Sequence, residues 1–236
     1  MKNRLTRPVL ALLILLTLTQ NPTAQPNPAH QTKVDLGVFT KEIMVMDFSD
    51  GQTHLAMWLP FEFFVAAAVN EGKSKESAER DLSFLKPYIT LVVQGSFDKP
   101  DGTSVYANET EIRGRANLIL ADGTVASPLE KVPPLVSATM AAMKAVFSSE
   151  GDAGSANLHI VVFSAVTKAG EKVVDPSQKA KLTLLLKADN KFKERSFTWR
   201  TPFDALANAS DCPRCKAGVS AKWTFCPFCG QKLPHD

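Results

Sequence analysis

Apolar and polar positions alternate through most of the chain, which is typical of short β-strands joined by turns. Residues 42–48 and 53–59 flank Ser49-Asp50-Gly51-Gln52, and this arrangement predicts a β-hairpin because an Asp-Gly pair accepts the positive φ angles of a tight turn. The same alternation predicts further strands at residues 88–97, 103–107, 111–120, 157–167, 180–187 and 194–200. About eight strands joined mainly by turns favour antiparallel sheets packed as a sandwich.

Apolar residues spaced three and four apart predict a few helices between these strands. We expect helices at residues 61–70 and 75–85, the second capped by Ser74, and a third that begins at Pro133-Pro134. The third helix has apolar residues at core spacing: Val136, Met140, Met143 and Phe147. Because helices and strands do not alternate regularly, a doubly wound parallel sheet is disfavoured. The predicted fold class is α+β, mainly an antiparallel β-sandwich with a few rim helices.

Within the predicted strand 111–120, the side chains of Arg113, Arg115 and Asn117 would share one face of a sheet. Two cations on one face can receive an anionic ligand, but a solvated sheet face is the expected role. Trp199 alternates with Phe197 in the last predicted strand, so we expect both side chains in the core.

The first 25 residues have the pattern of a secretory signal segment. Lys2, Arg4 and Arg7 precede the apolar run at residues 9–18, which is shorter than a transmembrane helix requires. We therefore expect residues 1–25 to direct export to the periplasm, cell envelope or medium and then to be removed. Residues 26–33 are expected to be a Pro-rich linker. The alternative is a retained segment that anchors the chain to a membrane.

Charge gives no reason to expect a nucleic-acid partner. The whole chain has 27 Lys and Arg residues against 24 Asp and Glu residues. Three of the basic residues lie in the signal segment, so the remaining basic and acidic residues are equal in number. A neutral chain has no general electrostatic attraction for phosphate backbones.

Two units are predicted after the linker. Residues 34–206 are long enough for one domain with a substantial core, and we expect the sandwich there. All four cysteines lie in residues 211–233, as Cys212-Pro-Arg-Cys215 and, after ten residues, Cys226-Pro-Phe-Cys229. Two such turns facing each other supply four thiolates, the tetrahedral set that Zn²⁺ accepts at about 2.3 Å per sulfur.

Residues 212–233 resemble the short zinc-ribbon domains that end many bacterial proteins. The resemblance lies in the spacing, in both Cys-Pro steps and in the Phe225-Cys226 approach. It implies one structural Zn²⁺ ligated by Cys212, Cys215, Cys226 and Cys229, and a docking module without catalysis. The segment is also similar to a rubredoxin knuckle, which holds iron, but rubredoxins separate their pairs by a longer loop.

Two other predictions concern this C-terminal unit. Val219, Phe225 and Leu233 are expected to form the small apolar cluster around which so short a unit folds with its metal. The alternative to a metal is oxidation to disulfides, or redox use of the two Cys-x-x-Cys pairs, which export would permit.

The domain at residues 34–206 contains no recognisable catalytic motif. His54 and His159 are predicted to lie in or beside strands, where a histidine is more often packed than catalytic. We therefore predict an exported, non-enzymatic binding or scaffold protein with a protein partner on the ribbon or the sandwich. The alternatives are an exported hydrolase with carboxylates as acid and base, and a thiol–disulfide protein that uses both cysteine pairs.

Overall fold

The computed structural model describes residues 34–148, 153–166, 173–206, 210–215, 218–219 and 223–233. The predicted signal segment and linker, residues 1–33, lie outside this description. In chain order the strands are β1 (Met44–Asp47), β2 (Gln52–Leu59), β3 (Tyr88–Asp98), β4 (Ser104–Tyr106), β5 (Ala116–Ile119), β6 (Val125–Ala126), β7 (His159–Ser164), β8 (Ala180–Leu186), β9 (Arg195–Thr201), β10 (Ser210–Asp211) and β11 (Gly218–Val219). The helices are α1 (Leu36–Ile43), α2 (Phe61–Asn70), α3 (Lys75–Asp81), α4 (Glu109–Arg115), α5 (Pro134–Ser148) and α6 (Ala153–Ala156), with a 3₁₀ turn at Ser83–Leu85.

Two antiparallel sheets form the main domain, which confirms the predicted fold class. In the first sheet the order is β1-β2-β3-β4, and β7 pairs with the first half of β3. In the second sheet the order is β6-β5-β8-β9. Both sheets contribute to one core, where Trp58 of β2 meets Trp199 of β9 edge to face with ring centroids 6.2 Å apart. The Trp199 indole N–H donates to the carbonyl oxygen of Ile43 at 2.7 Å.

Strand β9 illustrates why the sheets pack on one face only. Its buried residues, Phe197 and Trp199 among them, alternate with Ser196 and Arg200, which are exposed. Successive side chains of a strand point to opposite faces, so this alternation buries one face and leaves the other to solvent. The prediction that Phe197 and Trp199 lie in the core is confirmed.

The predicted hairpin at Ser49–Gln52 is present between β1 and β2. Asp50 has φ 56° and Gly51 has φ 70°, and the amide of Gln52 donates to the carbonyl of Ser49 at 3.0 Å. Positive φ at both central residues is the type I′ turn, whose twist matches that of the strands it joins.

Helices α2 and α5 begin within a residue of the predicted positions. The Ser74 hydroxyl caps α3 as expected by accepting from the amide of Ser77 at 3.2 Å. The predicted helix at residues 75–85 is divided, because α3 ends at Asp81 and the chain continues as a 3₁₀ turn. On α5, Val136, Met140 and Met143 are buried as predicted, and Phe147 lies outside the side chains that the structure describes.

The sequence analysis does not predict helix α1, and only its last two residues, 42 and 43, overlap the predicted strand at residues 42–48. The Asp35 carboxylate accepts from the amides of Gly37 and Val38 at 2.8 and 3.1 Å, which satisfies free N–H groups at the helix start. The strand therefore begins at Met44 rather than at residue 42.

The predicted strand at residues 111–120 is wrong in its first half, where the chain forms α4. Asn108 and Glu111 form a capping box: the Asn108 side chain accepts from the Glu111 amide, and the Glu111 carboxylate accepts from the Asn108 amide, both at 2.9 Å. This reciprocal pair outweighs the alternating pattern, and a strand follows only from Ala116. Arg113 and Arg115 consequently lie on a helix and do not form the predicted sheet face.

Within the described part of the chain, no helix has the length and apolar content required to cross a membrane.

Candidate metal centre

Two tight turns carry the four cysteines. The first follows β10, whose residues Ser210 and Asp211 pair with Val219 and Gly218 of β11. In the second turn the amide of Gly230 donates to the carbonyl of Cys226 at 2.9 Å. Gly230 has φ 71°, a conformation that glycine adopts without strain. The spacing of each pair thus corresponds to a closed turn.

The four sulfur atoms converge on one point. The Sγ atoms of Cys212 and Cys229 are 3.6 Å apart, those of Cys215 and Cys226 are also 3.6 Å apart, and all four lie within 4.8 Å of one another. All four thiols are free. Sulfurs at about 2.3 Å from a tetrahedral Zn²⁺ would be about 3.8 Å from each other. The cluster therefore has the size that a metal ion requires.

Backbone groups favour the ionised form of Cys212. The amide of Cys215 donates to its sulfur, and together with the amide of Arg214 it lowers the pKa of the Cys212 thiol to about 6, against the opposing effect of burial. Metal ions bind the thiolate and not the thiol, so a lowered thiol pKa assists metal binding near neutral pH.

The apolar cluster of this unit is smaller than predicted. Cys212, Cys226, Val219 and Leu233 are buried together, which agrees with two of the three expected residues. Phe225 is instead 57% exposed. It pairs with Lys232 in an isolated bridge, and since Cys226 points inward, its neighbour Phe225 must point outward.

The chemistry of four thiolates restricts what this centre can do. Soft sulfur ligands in a tetrahedral set suit Zn²⁺ or iron, and four protein ligands leave no position for a substrate or water. No family model, curated protein or solved structure matches this chain.

The two histidines singled out from the sequence both lie on the inner face of the first sheet. His54 is fully buried, and burial lowers its pKa to about 4, with further lowering by the charges of Arg115 and Arg195. The His159 Nε2 lies 2.9 Å from the carbonyl oxygen of Ala107, and burial is the main cause that lowers its pKa. Both are packed residues, as the sequence favoured.

Arg115 is buried and its hydrogen bonds are to the main chain. Its Nε donates to the carbonyl of Lys187 at 2.6 Å, and its Nη2 donates to that of Lys193 at 2.9 Å. Its guanidinium lies 4.9 Å from the ring centroid of Phe192 and within 3.5 Å of the Asp189 carboxylate. Arg115 therefore joins the loop between β8 and β9 to α4 and is not presented to a soluble anion.

Each clear pKa shift among the described carboxylates is downward. An acid–base pair is expected to include a carboxyl with a raised pKa. Wherever the pKa of a described Asp or Glu departs clearly from its ordinary value, hydrogen bonds or cations lower it, as Arg195 and Lys193 do for Asp50. The same direction holds for Asp47, Asp101, Glu111, Asp122 and Asp189.

Proposed function

We propose that this protein is an exported, non-enzymatic binding or scaffold protein with one structural Zn²⁺ in its C-terminal unit. The ligands are Cys212, Cys215, Cys226 and Cys229. The observation that carries the proposal is the convergence of their four sulfur atoms within 4.8 Å. The ten-residue interval between the pairs favours a zinc ribbon over the iron-binding knuckle.

The metal has a structural role in this proposal because the unit has so small a core. Two cysteines and two aliphatic residues are all that its buried cluster contains among the described residues. A unit of this size gains most of its folding free energy from the metal, so binding and local folding are one event.

A protein partner is supported by the side chains that this unit exposes. Trp223 is 40% exposed, Phe225 57% and Phe228 69%. Aromatic residues are enriched in the cores of protein–protein interfaces. Export is supported by the charged start and the short apolar run of residues 1–25.

Elemental analysis of protein purified without chelator tests the metal site. We expect about one zinc per chain, with thiols that react only after a chelator is added. The Cys226→Ser variant should lose the zinc, whereas Thr224→Ala, a change at an exposed neighbouring side chain, should retain it. One iron per chain would instead support an iron site similar to a rubredoxin knuckle.

A second candidate function is thiol–disulfide exchange, because two Cys-x-x-Cys pairs with free thiols lie side by side. The same sample distinguishes the two functions. Protein without metal and with all four sulfurs oxidised would overturn the zinc site and favour exchange.

Export is tested separately by the intact mass of protein recovered from the cell envelope or the medium. We expect a chain that lacks residues 1–25. A full-length chain confined to the cytosol would contradict the export proposal and leave the metal site unaffected.

A further inference from the structure

Helix α2 lines an apolar cavity of about 730 Å³ whose walls are all within residues 34–206. The residues that face it recur with helical spacing on one side of the helix: Phe61, Glu62, Val65, Ala66 and Val69. The other side of α2, which includes the fully buried Ala67, belongs to the core. The cavity therefore lies along α2, and core residues of this helix, Val65 and Ala66, form part of its wall.

The remaining walls are also mainly apolar. Trp58 and Ile89 lie at the cavity and are almost fully buried, and Val174 and Leu206 close it from later parts of the chain. Pockets of about 300–1,000 Å³ with such walls bury most of the surface of a drug-sized ligand. These walls favour an occupant with a large hydrocarbon part.

Four charged side chains line the cavity, Glu62, Lys75, Glu79 and Lys86, and among them Lys86 is the cation that lies against an aromatic ring. The Lys86 ammonium lies 4.9 Å from the ring centroid of Phe61, and no carboxylate of the described residues is within ion-pair distance of it. Lys75, the other cation of the lining, faces Glu79 at 3.9 Å. A cation held against an aromatic ring beside an apolar space complements an anionic group on an apolar ligand.

We propose that this cavity binds an apolar ligand with a single anionic end, of the long-chain carboxylate class. The hydrocarbon occupies the space between α2 and Trp58, and the carboxylate lies at Lys86. This inference rests on the proposed binding role and is independent of the metal site, because none of the lining residues belongs to residues 211–233.

Titration of detergent-free protein with cis-parinaric acid, a fluorescent long-chain carboxylate, tests the proposal. We expect saturable binding with one site per chain, and displacement by dodecanoate at lower concentration than by dodecanol. Lys86→Met should weaken dodecanoate about twofold to fivefold, the range expected for a single exposed ion pair, and should leave dodecanol unchanged. Lys99→Met, at an exposed turn outside the cavity, is the matched control.

A second pair of variants tests the location. Ala66→Phe fills the cavity and should weaken the probe at least about tenfold, whereas Ala141→Phe, on an exposed face of α5, should not. Circular dichroism establishes that each variant is folded. If Ala66→Phe does not fold, Val69→Trp at a half-buried position of the same wall replaces it.

Three results would overturn the proposal: no saturable binding by folded protein, equal displacement by dodecanoate and dodecanol, or full affinity in the cavity-filling variant. The zinc content of the same preparation separates the two hypotheses. One zinc per chain without probe binding would contradict the cavity ligand alone, and probe binding without zinc would contradict the metal site alone.

Discussion

His54 of β2 lies directly opposite Gly95 of β3, and a Cβ atom added at position 95 would be 3.0 Å from the imidazole Cδ2 and 3.2 Å from Nε2. The imidazole is enclosed, with the rings of Phe192 and Phe197 at 5.9 and 6.5 Å. A side chain at position 95 therefore has to displace a ring that has little room to move.

We expect Gly95→Ala to destabilise the domain by about 1–3 kcal/mol, the usual cost of overpacking a core. Urea unfolding followed by circular dichroism measures the change. Gly114→Ala is the matched control, because a Cβ there meets nothing within 4 Å and the residue lies within α4. It should be neutral or stabilising by about 0.5–1 kcal/mol.

The double variant identifies the cause of this destabilisation. In a His54→Ala background, where the ring is absent, Gly95→Ala should cost much less than in the wild type. An equal cost in both backgrounds would contradict the steric explanation.

The burial of His54 predicts a pH dependence of stability. Its pKa is about 4 in the folded protein, against an ordinary value of 6.5 that we assign to the unfolded chain. As the pH falls below about 6.5, the unfolded chain binds a proton that the folded protein does not, so the free energy of unfolding decreases until about pH 4. The total decrease from this residue is at most about 3 kcal/mol.

Urea unfolding at pH 7.5 and at pH 4.5 measures this loss. His54→Leu should lose less stability between the two pH values than the wild type. The remaining dependence comes from other groups: the pKa of His159 is lowered chiefly by burial, and that of Asp47 chiefly by its hydrogen bond to Ser49. If His54→Leu and the wild type lose the same free energy of unfolding between the two pH values, His54 is already solvated in the folded protein.

The stability of the region around His54 and Phe192 also depends on Arg115. Replacing it with Met would leave the carbonyls of Lys187 and Lys193 without their donor and the Asp189 carboxylate without its buried cation. We expect a loss of about 3 kcal/mol, because removing one partner of a buried charged network leaves the others uncompensated. Thermal or urea unfolding measures the loss.

Arg113→Met is the control for this variant, since Arg113 is only half-buried and donates to the single carbonyl of Leu129 at 2.6 Å. It should cost about 1 kcal/mol, the usual value of one such bond. If the two variants lose the same free energy of unfolding, the interactions around Arg115 stabilise the domain no more than the single hydrogen bond of Arg113 does.

Local chemistry explains which parts of the fold follow from the sequence. The Asp50-Gly51 turn and the Ser74 cap are determined by residues close in the chain, and both are predicted. Helix α4 is not, because Ile112, Gly114 and Ala116 alternate as a strand does, while the capping box at Asn108 decides the conformation. The sequence signal available for this helix was the capping-box pattern, in which Asn108 is followed three residues later by Glu111 and then by the apolar Ile112.

The cysteine cluster and the cavity likewise differ in how far the sequence predicts them. The cysteine spacing indicates a sulfur cluster because each pair closes within one turn, and only the facing of the two turns requires tertiary structure. The cavity has no comparable pattern. Its walls come from Trp58, Phe61, Lys86, Val174 and Leu206, which the fold brings together from segments that are distant in sequence.

The separation of the buried clusters predicts that the main domain folds without the C-terminal unit. The core formed by residues of α1 through Phe203 and the cluster of Cys212, Val219, Cys226 and Leu233 have no buried residue in common. A domain that buries Trp58 and Trp199 in its own core does not depend on the C-terminal unit for its apolar contacts. A chain that ends at residue 206 should therefore keep the circular dichroism of a domain with both helices and antiparallel sheets, together with a cooperative urea transition.

Chelation of the full chain provides the complementary measurement. If the proposed metal is bound, its removal should expose the four thiols to a thiol reagent and leave the urea midpoint of the main domain unchanged within error. In that case local folding of residues 211–233 is coupled to the metal alone. Cys226→Ser should reproduce this behaviour without chelator. A truncated chain that is unfolded, or a main-domain midpoint that falls on chelation, would show that the two units are stabilised as one.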